Sequence, residues 1–348
     1  MTESSNWKNE YARLRDYVNA HPEIVLTQNE ISIPQPLRDE FYRIFDDIRK
    51  AVVAQHLDVL SSDVRTLNER YISMEKEAVE LLGIKEIEMP VDLRVFLHKP
   101  EEALIRAVYN CLFALIQGKI EEEDFEILAG DNIAVAVSEL FHVGYERWVG
   151  LELIKLLEPE EAFLVGLDED YKPCLCELET VSFGKQWHHP TMRIPEFVVR
   201  SRRFNSLVAV RMALETEIEE YIVTIRPPVR PKKKTGDTSF AMGSRVAMLS
   251  FIENEKKIPV FADIYDGDIT SPDLLVEFIN MDEPGGEEEL FRRVRRHMEI
   301  LNPKLGCMLL APVDDFQTDG ELIPENVRLV SLGFDTAKLD AALGGFTA

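Results

Sequence analysis

A helical bundle followed by a β-rich mixed α/β domain is the fold class this sequence predicts, on three observations. Apolar residues recur at helical spacing through about the first 158 positions. At Glu158-Pro159 the pattern changes to short runs rich in Val, Leu and Phe, divided by turn residues. Within this second part, residues 245–313 read as strand, hairpin, strand, helix, strand, the clearest plan anywhere in the chain. The expected division is therefore a helical bundle over 1–158 and a mixed α/β domain over 159–348.

Taken in order, Trp7, Tyr11, Leu14 and Val18 lie on one helical face, and Pro22 ends that helix. Residues 24–33, bounded by Pro22 and Pro34, are expected to be extended. Leu37, Phe41, Ile44, Phe45, Ile48 and Val52 mark a long amphipathic helix with Pro36 near its first turn. The next helix starts at Ser61 or Ser62, buries Val64, Leu67, Tyr71, Met74 and Ala78, and stops at Gly83. Pro100-Glu101-Glu102 opens a helix whose apolar positions run from Leu104 to Ile116 and wrap most of its circumference. Two or three further helices are expected over 121–129, 133–141 and 145–157, with Gly130 and Gly144 as punctuation.

Beyond Pro159, strands are expected over 162–167, 173–183, 196–200, 207–214 and 221–225. Residues 226–245 hold three prolines, two glycines and a lysine triplet, and read as a mobile basic loop. Strands over 246–252, 258–265 and 274–281 follow, then an amphipathic helix and a strand over 307–311. Arg292, Arg293, Arg295 and Arg296 form the polar face of that helix, opposite Leu290, Val294, Met298 and Leu301. A strand over 327–332 and a short helix over 336–343 close the pattern.

Composition narrows the class of function. Of 348 residues, 45% are hydrophobic, enough to build real cores. The longest uncharged apolar run, around 108–116, is far shorter than the ~20 residues a bilayer span needs. Residues 1–19 are polar and charged, unlike a signal or transit peptide, so a cytoplasmic protein is expected. Four cysteines without a disulfide-like framework fit a reducing compartment. The net charge of −24 disfavours tight nucleic-acid binding, because phosphates would be repelled across most of the surface. The charge is uneven, however. Between Arg200 and Arg245 ten basic residues stand against five acids, so that segment is +5 and the remainder −29.

Three groups of residues could carry chemistry. The first is the carboxylates Asp263, Asp266, Asp268, Asp273 and Glu277. The order strand, hairpin, strand, helix, strand around them resembles restriction-endonuclease-like domains, over about a fifth of the chain. The resemblance implies a metal-dependent nuclease in which Asp266, Asp268 and Glu277 hold Mg²⁺ and activate water. Ile279, however, stands where that family places its lysine. Pro195-Glu196 starts a second partial match, with Arg211 and Ala213 where Glu and Lys belong. Against this, Asp266-Gly267-Asp268 is what a solvated tight turn selects.

The second group is Cys174 and Cys176 with His188 and His189, two thiolates and two imidazoles that could complete a tetrahedral Zn²⁺ site. The plainer reading is two strand cysteines and a His-His-Pro turn. The third is the basic run Arg226, Arg230, Lys232, Lys233 and Lys234. With no interleaved aromatics and no Gly-rich phosphate loop in the chain, it suits an acidic protein surface better than a nucleic acid. No Ser-His-Asp order, nucleophile elbow or His-Glu-x-x-His motif occurs. The expectation is a non-catalytic interaction, regulatory or assembly protein with no cofactor and no membrane contact, binding a protein with an acidic surface. The alternative is a divergent or degenerate restriction-endonuclease-like nuclease.

Overall fold

The computed structural model describes residues 6–182, 192–218, 244–263, 268–280, 286–318, 320 and 322–346. Helices dominate its first part: α1 (Trp7–Ala20), α2 (Gln35–Gln55), α3 (Ser62–Leu82), α4 (Val91–His98), α5 (Pro100–Leu104), α6 (Tyr109–Ile116) and α7 (Glu122–Leu156). The short strands β1 (Val25–Leu26) and β2 (Ile31–Ser32) pair as a small hairpin, and β3 (Glu86–Glu88) follows α3. The change to strands falls between Leu156 and Pro159, as the patterning predicts. β4 (Pro159–Leu167), β5 (Pro173–Glu177), β6 (Thr180–Ser182), β7 (Met192–Arg193), β8 (Phe197–Ser201) and β9 (Ser206–Leu214) come first. They are followed by β10 (Arg245–Ile252), β11 (Ala262–Asp263), β12 (Asp268–Ile269) and β13 (Leu274–Phe278). Helix α8 (Gly286–Leu301), strands β14 (Gly306–Ala311) and β15 (Val327–Ser331), and helix α9 (Thr336–Gly344) complete the order.

The long helices bury the residues their periodicity marks. On α2, Phe41, Ile44, Phe45, Ile48 and Val52 are buried, and on α3 so are Val64, Leu67, Tyr71, Met74 and Ala78. Gly83 follows α3 at φ 66°, the left-handed cap that glycine adopts without strain. The stretch expected as one helix over 100–116 is two helices joined through residues 105–108. There the amides of Arg106, Ala107 and Tyr109 bond three residues back and not four, a 3₁₀-type tightening that interrupts the α ladder.

The opposite correction applies to 121–157, where one continuous helix of 35 residues replaces the two or three expected. Gly130 does not stop it. A Cβ there would come within 3.2 Å of the His56 ring, so the glycine serves a close approach. In its first half α7 buries a single stripe, Phe125, Ala129, Ile133, Val137 and Leu140. From His142 to Ile154 every residue is buried, so the helix passes from amphipathic to buried all round. By length and composition α7 is the one described helix apolar enough to cross a membrane.

Eight strands form one mixed sheet in the order β15-β14-β13-β10-β9-β8-β4-β5. From β5 to β13 neighbours are antiparallel, and β13, β14 and β15 are parallel. The predicted strand-hairpin-strand-helix-strand unit is thus β10, β11–β12, β13, α8 and β14. Every residue of β13 and β14 is buried, as expected of central parallel strands covered on both faces. Leu290, Phe291, Val294 and Leu301 of α8 pack in one core with Met248, Leu275, Cys307 and Leu309. A second core gathers Val165, Val198, Leu207, Ala209, Ile252 and Ile258.

The strand expected over 258–265 shrinks to Ala262 and Asp263 within its described part. Pro259 interrupts the run, because it cannot donate to a ladder. The run 173–183 divides into β5 and β6, and β6 leaves the large sheet to pair with β3. The strand expected over 221–225 lies outside the described residues.

The chain groups into two compact units. Unit 1 comprises Met1–Glu69 and Val91–Phe141, and unit 2 comprises Arg70–Pro90 and His142–Ala348.

Candidate functional site

Unit 2 holds an interior charge network that begins where β9 outruns its neighbour. β8 starts at Phe197, paired with Val210, so Met212 of β9 lacks a strand partner on that side. Two side chains take the missing strand's place. Glu196 Oε2 accepts from the Met212 amide at 3.3 Å, and Arg245 Nη1 donates to the Met212 carbonyl at 2.9 Å. Both are more than nine-tenths buried. Backbone polar groups inside a protein must be satisfied, and here a carboxylate and a guanidinium do it.

The network spreads from that point. Arg211 donates to the Ile194 carbonyl at 2.8 Å and pairs with Glu217, which also pairs with Arg193 at 2.8 Å. Glu146 of α7 accepts from the Arg245 amide at 3.3 Å, and its neighbour Arg147 is 1% exposed. Arg293 of α8 pairs with Glu215 at 3.4 Å. Deeper under α8, His297 Nδ1 lies 3.1 Å from Glu277 Oε2, and both residues are wholly buried.

Burial sets the protonation of this network. It pushes Glu215 up to about 7, since Glu277 and Glu146 add repulsion that offsets Arg293 and His297. Burial also raises Glu196 to about 6, even with Arg211, Arg245 and Arg147 around it. Arg147 falls to about 9, first through burial and then through Arg245 beside it. For His142 burial works against the charged ring, but the hydrogen bond and charge of Glu146 outweigh it and lift the imidazole above its ordinary value. Glu196 also lines a cleft of about 230 Å³ with Leu164, Thr180, Ser182 and Phe197.

A serine, a histidine and a carboxylate do meet here, although no motif announces them. His142 Nε2 lies 2.7 Å from Ser244 Oγ and 2.9 Å from Glu146 Oε1. Both partners use the same ring nitrogen. A nucleophile relay needs the serine on one nitrogen and the acid on the other, so this arrangement anchors the ring and does not activate Ser244.

Glu277 is in β13 on the face toward α8, 0% exposed, with His297 as its partner. Asp273 accepts from the Phe251 amide at 2.7 Å and from Lys304 at 2.8 Å, tying β10 to the start of β13. Asp263 and the backbone of Asp268 pair across the β11–β12 ladder. Asp266 and the Asp268 side chain lie outside the described residues. Among the described residues no three His, Cys, Asp or Glu side chains gather as a metal site. Cys174 and Cys176 sit on β5, and His188 and His189 lie outside the described residues. So do Arg226, Arg230, Lys232, Lys233 and Lys234.

Sequence reading missed most of the network. Arg293 is not on the polar face of α8, where the pattern put it, but turned inward to Glu215 with 14% of its side chain exposed. The available signal was a lone charge inside an apolar strand: Arg211 in VAVRMAL and Glu277 in LLVEF. Compared with protein-family models, with curated proteins and with solved structures, the chain matches none.

Proposed function

We propose that the protein works by binding another protein and not by catalysis, through the basic run Arg226, Arg230, Lys232, Lys233 and Lys234. One observation carries this reading: the described basic residues of 200–245 serve the protein's own structure. Arg200 pairs with Glu161 and Glu255, Arg202 with Glu158, Arg203 with Asp340 and Arg211 with Glu217, while Arg245 holds the Met212 carbonyl. The other five basic residues of the segment are concentrated in nine positions, 226–234, on a chain whose net charge is −24. Such a run steers an acidic surface toward it within about one Debye length, ~8 Å at physiological salt. The free thiols of Cys111, Cys174, Cys176 and Cys307 go with a reducing, cytoplasmic setting.

The test is association of the full chain with proteins captured from its own host. Bound partners should elute as salt rises, and the combined Lys232→Glu, Lys233→Glu and Lys234→Glu variant should lose them while keeping its circular dichroism. Retained binding by that variant would sink the proposal. The nuclease reading draws on the β10–β13–α8–β14 order, and it requires Mg²⁺-dependent DNA cleavage that disappears with Glu277→Gln. Neither cleavage nor tight DNA binding is expected, because Glu277 is enclosed between β13 and α8 with His297.

A further inference from the structure

Cys174 and Cys176 flank Leu175, which packs against the second core, so strand alternation turns both thiols to the opposite face of β5. β5 is an edge strand of the eight-stranded sheet. In its register with β4, Gly166 lies opposite Cys174 and Leu164 opposite Cys176. A Cβ on Gly166 would lie 2.8 Å from Cys176 Sγ and 3.9 Å from Cys174 Sγ. The two sulfurs therefore converge over the space that a mid-strand glycine leaves open. Cys176 is exposed and Cys174 half-buried, so the pair is open to solution. Partial desolvation and then the neighbouring Cys176 push the Cys174 thiol up.

We propose that Cys174 and Cys176 form a two-coordinate site for a soft monovalent cation, Cu(I). Distances decide between this and a disulfide. Alternate residues of a strand are about 6.6 Å apart at ~3.3 Å per residue, with parallel Cα–Cβ directions. A disulfide needs Cβ atoms about 3.8 Å apart, which this strand reaches only by bending. Two metal–thiolate bonds of about 2.3 Å span roughly 4.6 Å, which side-chain rotation alone can provide. Soft thiolate pairs select Cu(I), whereas Zn²⁺ takes four ligands. In binding, Cu⁺ and two neutral thiols give a bis-thiolate complex of charge −1 and release two protons, so affinity rises with pH.

The experiment is an anaerobic competition of the full chain against the chromophoric chelator bicinchoninate for Cu(I). The wild-type chain should withdraw one equivalent of Cu(I), and a zinc excess should leave it bound. Cys174→Ser and Cys176→Ser should each weaken binding more than about tenfold. Gly166→Ala, whose new methyl would displace Cys176 Sγ, should weaken it too while circular dichroism stays unchanged. One Cu(I) still withdrawn by the double serine variant would overturn the proposal. So would a wild-type chain that takes no Cu(I), or a Gly166→Ala chain that is folded and binds as before.

Discussion

The two compact units treat charge in opposite ways. Among the described residues, twelve polar or charged side chains are buried, and of these only Asn68 belongs to unit 1. Unit 1 closes on aromatic and aliphatic contacts such as Trp7 with Phe125 and Phe45 with Phe113, at ring separations of 4.8 and 4.5 Å. Ion pairs such as Lys8 with Glu126, Arg13 with Glu10 and Lys99 with Glu102 stand at its surface, and only Arg49, paired with Asp46, keeps as little as 12% of its side chain exposed among these described pairs. Unit 2 carries guanidinium and carboxylate groups inside its layers, where each depends on the others. A single net charge thus conceals two regimes: one that solvent screens, and one where removing any member strands its partners.

The largest separation between the units should come from deleting one interior cation. Arg245→Met removes the donor to Met212 and the counter-charge of Glu146 and Glu196. It should cost roughly 3–5 kcal/mol of unfolding free energy in urea titrations, the usual penalty for a stranded buried charge. Hydrogen exchange should show the loss in β9, β10 and the 142–156 part of α7. A loss below about 1 kcal/mol would mean the network is solvated in practice.

The next effect is a dependence on pH, with a definite sign. Glu215 and Glu196 ionise at about 7 and about 6 when folded, against an ordinary 4.5. The folded chain therefore binds more protons than the unfolded chain between about 4.5 and 7, and stability falls as pH rises through that window. His142 acts in the same direction. Its raised value gives stability that is fully present below its ordinary 6.5 and lost as pH climbs past the folded value. Unit 2 should thus be more stable near pH 5 than near pH 8. Glu215→Gln should remove roughly 2 kcal/mol of that decline, measured as unfolding free energy against pH. An unchanged slope in this variant would show that Glu215 ionises normally.

The smallest effect belongs to unit 1. Arg13→Ala should move the melting temperature by less than about 2 °C, and high salt should erase even that. A larger, salt-resistant shift would mean that the carboxylates Glu40 and Asp47, which Arg13 shares with Arg43, couple these pairs cooperatively.

What could be read from the letters alone follows the same divide. The faces of α2 and α3 are legible because one apolar stripe at period 3.6 is both the cause of burial and its visible mark. The continuity of α7 is not, because Gly130 looks like a stop and is in fact room for His56. The interior network is the hardest to foresee. Glu146 and Arg245 are 99 residues apart, and in isolation each looks like any solvent-facing charge. The first core of unit 2 is legible where the apolar stripe of α8 keeps helical period, and the inward turn of Arg293 is not, because nothing local distinguishes an arginine that turns inward.

The order in which the two units take up the chain also bears on how it emerges from a ribosome. Residues 70–90, which belong to unit 2, leave the exit tunnel between the two segments of unit 1. Strand β3, within that early piece, pairs with β6, whose first residue is Thr180. Unit 1 can close once residue 141 has emerged, while its neighbour in sequence, 70–90, waits for a strand synthesised roughly ninety residues later. No contiguous fragment contains either unit without part of the other. A nascent chain that has emerged only as far as residue 158 would present Trp148, Val149, Leu151 and Ile154, all buried in the finished fold, with no sheet yet made to receive them, and at that moment the protein would most need a chaperone.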